Sequence, residues 1–457
     1  MNKIFSGTTA IWLLILFLSM VSSCPKEAGE EVHYPPPAPK ETTYRFPLPS
    51  DPPTLDPAHV TDTVSDSVVR RMFETLVKFS PEMEIVPLLA EKWDISEDGL
   101  VYKFYLRDGV KFHNGRELSA EDFVYSFTRI LDRKTASERA QMLLGVLGAK
   151  EFYEGKAPSV KGLEAPDRLT FKITLKETFA PFLSVLTMSN FSAVPKEVVE
   201  SGKDFAQNPI GTGPFVFDRW QRDNQIILKS NKVYWGGEPR IDVLIYRIIP
   251  NETTRYQAFL NGDLEHTDIP FGKMREVRKS EKLSAMLQGV SAMDMYCYGF
   301  NVEKAPFNDK RVRLAFNYAI DKDNIVKNIL EGRGEVQKTY VPPGMFYFNA
   351  ESEGYPYDIA KAQKYLEKAG FPGGKGFPVV TLTIDQQQLS RVMAEAVQED
   401  LRKIGVRIEI EQNDWATLLD RMYAGELAFH QNTWLADYPD PDNWLFVLLR
   451  SEEHTSE

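Results

Sequence analysis

Residues 379–434 read VVTLTIDQQQLSRVMAEAVQEDLRKIGVRIEIEQNDWATLLDRMYAGELAFHQNTW. Three runs, at 379–384, 406–411 and 427–434, have the length and composition of strands. Between them lie helical stretches at 392–404 and 415–424. A strand–helix–strand–helix–strand order predicts a parallel sheet with helical crossovers. Two further helices, at 311–320 and 359–369, precede it, so the back part of the chain is expected to be α/β.

The first candidate site lies just beyond this stretch. In α/β sheets, ligands sit beyond the carboxyl ends of strands. The last strand ends at Trp434 and runs into Asp437-Tyr438-Pro439-Asp440-Pro441-Asp442. A carboxylate at Asp437, flanked by Trp434, Tyr438 and Trp444, suits a ligand with one positive group and apolar parts. Three other readings stay open. A calcium loop needs ligands at alternating positions and a mid-loop glycine, a pattern these prolines interrupt. Asp437 and Asp440 could form a hydrolytic carboxylate pair, or the stretch could be a plain solvated loop.

Towards the N-terminus the pattern becomes α+β. A strand is expected near 44–47 and a helix over 67–79, with Val69, Met72, Phe73 and Leu76 on one face. Tyr102, Phe104 and Leu106 alternate with Lys103, Tyr105 and Arg107, a half-buried strand of a hairpin. Asp108-Gly109 and Asn114-Gly115 mark turns. Ser119-Ala120-Glu121-Asp122 resembles a capping box opening a helix over 120–131. Another alternating strand is expected at 169–175, and further strands at 215–217, 226–228 and 244–246.

The whole chain has 457 residues, which predicts about three domains at about 150 residues each. It carries a formal charge of −11 and no basic run, which argues against nucleic acid as a partner. Two cysteines, Cys24 and Cys297, exclude a disulfide-dense scaffold and a four-cysteine zinc site. The six histidines share no ligand spacing, so no metal or cofactor is implied. Gly211-Thr212-Gly213-Pro214 lacks the Gly-Lys-Ser/Thr ending of a phosphate loop and precedes a strand, so it reads as a tight turn. No Gly-x-Ser-x-Gly nucleophile elbow is present.

The two ends are not read as fold. Residues 10–20 are apolar, too short to span a bilayer comfortably and suited to the core of a signal peptide. They lead into Val21-Ser22-Ser23-Cys24, which resembles a bacterial lipobox. Residues 1–23 are therefore expected to be a lipoprotein signal peptide, with Cys24 the lipid-modified first residue of the mature chain. Cys297 then has no disulfide partner. Residues 24–43, rich in Pro and Glu, read as an extended tether. Residues 450–457 can be encoded by the opening bases of a common sequencing adapter, so the native chain is expected to continue past Leu449.

Several ordered stretches resemble the peptide-binding extracellular solute-binding proteins of ABC transporters, bacterial solute-binding family 5. They include Ser50-Asp51-Pro52-Pro53-Thr54-Leu55-Asp56-Pro57, Leu89-Ala90-Glu91-Lys92-Trp93 and Gly211-Thr212-Gly213-Pro214-Phe215. Asn231-Lys232-Val233-Tyr234-Trp235-Gly236-Gly237 and Ala436-Asp437-Tyr438-Pro439-Asp440-Pro441-Asp442-Asn443 belong to the same set. The resemblance implies a two-lobed, type II periplasmic-binding-protein fold with an extra inserted subdomain and a ligand cleft between the lobes. Residues 44–73 and 195–300 would form lobe I, 74–194 its inserted subdomain, and 301–449 a lobe II whose C-terminal return is missing.

It implies a binding protein rather than an enzyme. Short peptides would be held largely through their backbones and delivered to the permease subunits of an ABC importer. Asp437 matches the family aspartate that binds the peptide's α-amino group, and Trp434 an aromatic beside the ligand. Tyr438, Thr63 and Asp268 complete the candidate ligand-binding set. The expected location is the cell envelope, periplasmic or on the outer face of the cytoplasmic membrane, as a lipid-anchored monomer. One departure stands out. Enteric oligopeptide receptors carry arginines just before the aspartate motif, whereas residues 422–431 contain none and Arg421 is the nearest. A family receptor for a nickel chelate, haem or an oligosaccharide is the alternative cargo reading, and a secreted hydrolase a more distant one.

Overall fold

The computed structural model describes residues 41–289, 293–436 and 438–449. They form two compact units, one running to Asp268 and one from Ile269 onward.

The first unit opens with β1 (Thr43–Leu48) and α1 (Thr63–Met72). Next come β2 (Val77–Phe79), β3 (Ile85–Pro87), β4 (Ala90–Ile95), β5 (Val101–Leu106), α2 (Ala120–Leu131), β6 (Leu163–Asp167) and β7 (Thr170–Thr174). It ends with β8 (Phe215–Gln221), β9 (Gln225–Ser230) and β10 (Val243–Ile248). One four-stranded sheet has the order β1-β10-β9-β8, with β1 parallel to β10 from Thr43↔Val243 to Leu48↔Ile248. A second, β4-β5-β7-β6, is built wholly from chain lying between α1 and β8.

Local chemistry accounts for these elements. Tyr102, Phe104 and Leu106 are buried while the residues between them are half-exposed, the alternation of a one-sided strand. Ser119 and Asp122 form a reciprocal capping box at the start of α2. Phe123 of α2 then stacks on Phe171 of β7 at 5.5 Å. Gly109 and Gly115 both have positive φ, as their turns require.

The first helix differs from its expected span of 67–79. It begins earlier because Asp62 caps it, accepting from the backbone N–H of Ser65 at 2.8 Å. It ends at Met72 because the carbonyl of Met72 is taken by the N–H of Gly213 at 2.9 Å. Residues 77–79 pair as β2 instead.

The second unit contains β11 (Asp294–Phe300), α3 (Lys310–Ala319), α4 (Ile359–Lys368), β12 (Val380–Ile384) and α5 (Gln388–Arg402). After these come β13 (Ile408–Gln412), α6 (Trp415–Tyr423), β14 (Phe429–Leu435) and α7 (Pro441–Leu449). The sheet order is β11-β14-β12-β13. β12 runs parallel to both β13 and β14, as the alternation of elements predicts. β11 adds an antiparallel edge, paired to β14 from Asp294↔Leu435 to Phe300↔Phe429. This ladder places residues 294–300 with the second unit, whereas the expected lobe boundary fell after residue 300.

The crossovers from β12 to β13 and from β13 to β14 run in opposite directions across the sheet, so right-handedness puts their helices on opposite faces. Val397 and Leu401 of α5 pack with Leu382 and Phe429 in the core. Arg421 of α6 instead hydrogen-bonds Glu411 at 2.9 Å. Glu411 is registered with Thr383, and Thr383 with His430. The face carrying His430, Asn432 and Trp434 is therefore the one away from the main core. Alternation along β14 puts Trp434 there, beside its cross-strand partner Met295.

Candidate ligand-binding site at the end of β14

Beyond β14 the chain turns sharply into α7. Asp440 accepts from the backbone N–H of Asp442 at 2.9 Å, and Pro441 occupies the first helical position. This is an N-cap followed by proline, the arrangement that leaves fewest donors unpaired at a helix start. Burial raises the carboxyl pKa of Asp440, and the like charge of Asp442 acts in the same direction. The buried Tyr438 donates its hydroxyl to Asp442 at 2.7 Å. Burial, and then that carboxylate, hold the phenol well above its ordinary range. The indole Nε1–H of half-buried Trp434 donates to the side-chain oxygen of Asn443 at 3.1 Å. Below lies Trp444, fully buried with Val341 and Met345.

Two of the three aspartates in this motif thus have structural partners: Asp440 caps and Asp442 holds Tyr438. Trp434 and Tyr438 are brought together on one frame, Trp434 through Asn443 and Tyr438 through Asp442. Asp437 and Cys24 lie outside the described residues. Thr63 and Asp268 belong to the other unit. Thr63 is the first residue of α1 and half-buried; Asp268 is exposed at the end of its unit. Among the described residues no hydrogen bond links Thr63 to Asp268, and no group of three or more His, Cys, Asp or Glu is placed to hold a metal ion.

The profile of the bacterial extracellular solute-binding proteins, family 5 Middle, matches residues 84–456. The chain belongs to that family. Among curated relatives, it is 33% identical over 407 residues to the dipeptide-binding protein of Escherichia coli K12, covering 85% of this chain and 74% of that protein. It is 34% identical over 400 residues to heme-binding protein A of Haemophilus influenzae, covering 84% and 72%. Among solved structures it resembles the periplasmic binding protein DppA of Helicobacter pylori in complex with the peptide STSA. That likeness has a TM-score of 0.72 at 31% identity and covers 91% of this chain and 82% of that one. All three are binding proteins by name.

In this solute-binding protein several recognition motifs turn out to be buried joints. Glu74, buried and overlooked in the sequence, accepts from Tyr234 at 2.6 Å, Thr212 at 2.9 Å and Trp235 at 3.0 Å. Burial raises its pKa, while these hydrogen bonds work the other way. Asp56 pairs with Arg129 of α2, both side chains largely buried, and also accepts from the N–H of Ala58. The Gly-Thr-Gly-Pro turn needs its glycines for close approach, since a Cβ on Gly211 would lie 2.0 Å from the Met72 carbonyl oxygen. His113 closes the same turn. Its Nε2 lies 3.0 Å from the Gly213 carbonyl, and its Nδ1 accepts from the N–H of Gly211 at 3.3 Å.

Near the site, sequence reasoning missed Asn443, Asp385 and Gln431. Asp385 and Gln431, both buried, exchange two hydrogen bonds of 3.0 Å. Through the Gln431 side chain they tie the end of β12 to β14, just past the paired residues Thr383↔His430. Gln431 stands between His430 and Asn432 in the strand, so its polarity did not set it apart. Arg421, the nearest arginine to the motif, spends its guanidinium on Glu411 and Asn413.

Proposed function

We propose that this family 5 protein is the extracytoplasmic receptor of an ABC importer, anchored by lipid at Cys24, which captures short peptides and delivers them to the permease. The observation that carries the reading is the fate of the acids beyond β14. Asp440 is used as a helix cap and Asp442 by Tyr438, which leaves Asp437 as the motif's carboxylate for a ligand's ammonium group. The same observation counts against a hydrolytic pair of Asp437 and Asp440, because a capping carboxylate is committed to the helix start. The names of two of the relatives, one dipeptide-binding and one solved with a bound peptide, favour peptides.

A second cargo reading has its own support. A relative of equal similarity is named for haem, and Arg421 is engaged with Glu411 rather than open to a ligand carboxylate. Titration calorimetry with short peptides separates the two. A desolvated ammonium–carboxylate pair that loses one partner costs about 3–5 kcal/mol, so Asp437→Asn should weaken peptide binding by a factor of about a hundred or more. An Asp437→Asn protein that binds its cargo as tightly as the wild type would move the assignment to a non-peptide ligand.

A further inference from the structure

A cluster of apolar side chains surrounds Trp434. Trp434, Met293, Met295 and Phe348 are half-buried and pack over the fully or largely buried Trp444 and Met345. At the margin, between Met345 and Phe348, stand Phe346 and Tyr347. They are 52% and 85% exposed, with rings 5.4 Å apart. Tyr347 has φ of +62°, a left-handed conformation that a bulky side chain rarely adopts. Two large aromatic rings are thus held in water beside an apolar floor.

We infer that this methionine- and aromatic-lined wall selects peptides whose first residue has a large apolar side chain. The inference rests on the reading of Asp437 as the site of the peptide's α-amino group. Ala436, the residue before Asp437 in the chain, packs against the same cluster, and on that reading the first side chain of a bound peptide meets this wall. The side chain nearest an α-amino group is that of the first residue. Thioether side chains adapt their shape, so the wall accepts Leu, Met, Phe or Tyr rather than one of them. An acidic first side chain loses water there on a frame that already carries the carboxylates of Asp440 and Asp442.

The test is titration calorimetry of the full chain with Phe-Ala-Ala, Ala-Phe-Ala, Ala-Ala-Ala and Glu-Ala-Ala. Burial of a phenyl group predicts that Phe-Ala-Ala binds about tenfold or more tighter than Ala-Ala-Ala. Ala-Phe-Ala should gain less, and Glu-Ala-Ala should be no better than Ala-Ala-Ala. Met295→Ser should narrow the Phe-to-Ala ratio by about threefold or more through lost apolar contact. Phe346→Ala, at an exposed position that leaves the fold intact, should narrow it in the same direction.

Peptides that bind with equal affinity whatever their first residue would overturn the inference and leave the peptide reading standing. So would a gain that tracks phenylalanine to the second position, or a ratio unchanged in both variants. Failure of every peptide to bind the wild type would overturn both.

Discussion

His113 makes this protein's stability depend on pH in a direction and by an amount that can be worked out. Both ring nitrogens are engaged with the Gly211–Gly213 turn: one accepts an N–H, and the other, as an N–H, faces a carbonyl. Only the neutral ring can do both. Burial pushes its pKa from the ordinary 6.5 down to about 4. In the unfolded chain the ring takes up a proton below pH 6.5, while the folded ring resists until about pH 4, so stability falls as pH drops through that window. Linkage with these values gives a loss of about 2 kcal/mol between pH 7 and pH 5, rising to about 3 kcal/mol when the window is crossed fully.

Other groups titrate in the same range. His266 and His430 are also lowered by burial and add to the loss, whereas the raised carboxyl of Glu74 opposes it. The comparison that isolates His113 is urea unfolding of the wild type and His113→Gln at both pH values, monitored by tryptophan fluorescence. The variant should be weaker at pH 7, by about 1–3 kcal/mol for disrupted buried hydrogen bonds. Its stability should then fall less towards pH 5, so that the two proteins converge by about 2 kcal/mol. Parallel pH dependences would refute the claim that His113 is held neutral by this turn.

Two further substitutions probe the same joint. Gly211→Ala puts a methyl group against the Met72 carbonyl, with backbone on both sides of the clash, and should cost about 3 kcal/mol or more; an unchanged melting temperature would contradict this packing. Glu74→Ala strips the acceptor from Tyr234, Trp235 and Thr212 together and should cost about 3 kcal/mol or more in urea unfolding, whereas a loss below about 1 kcal/mol would mean that those donors find other partners.

The parallel sheet of the second unit was legible because strand and helix patterns alternate there without interruption. The α2 capping box was legible because Ser119 and Asp122 declare it locally. The end of α1 was not, because what stops it is Gly213, about 140 residues away, taking the Met72 carbonyl. The apolar spacing of Val69, Met72, Phe73 and Leu76 continues past that point, so periodicity alone runs the helix on to residue 79. β11 was missed because its partner β14 lies far along the chain, and an edge strand leaves little local signature. At the candidate site, Trp434 and Tyr438 were singled out from their place at and just past the end of a strand. Asn443 was not, since an amide that steadies a neighbouring indole looks like any other loop residue.

The contrast between the motifs and the wall has a physical cause. Glu74, His113 and Asp56 sit where a buried polar group must find particular partners, and replacing one orphans several others at about 1–3 kcal/mol apiece. Such positions dictate residue type, and the partners of these groups, Thr212, Tyr234 and Trp235 among them, fall in the stretches that carry the resemblance. The surface around Trp434 obeys a looser rule. A methionine there could be leucine, or a phenylalanine tyrosine, at little cost to the fold. What that surface settles is which ligand side chain loses its water, a choice the fold does not make. The resemblance thus rests in good part on residues committed to the fold, such as Asp56, Thr212 and Tyr234, while the inferred cargo preference rests on Met295, Phe346 and Tyr347, which the fold itself hardly constrains.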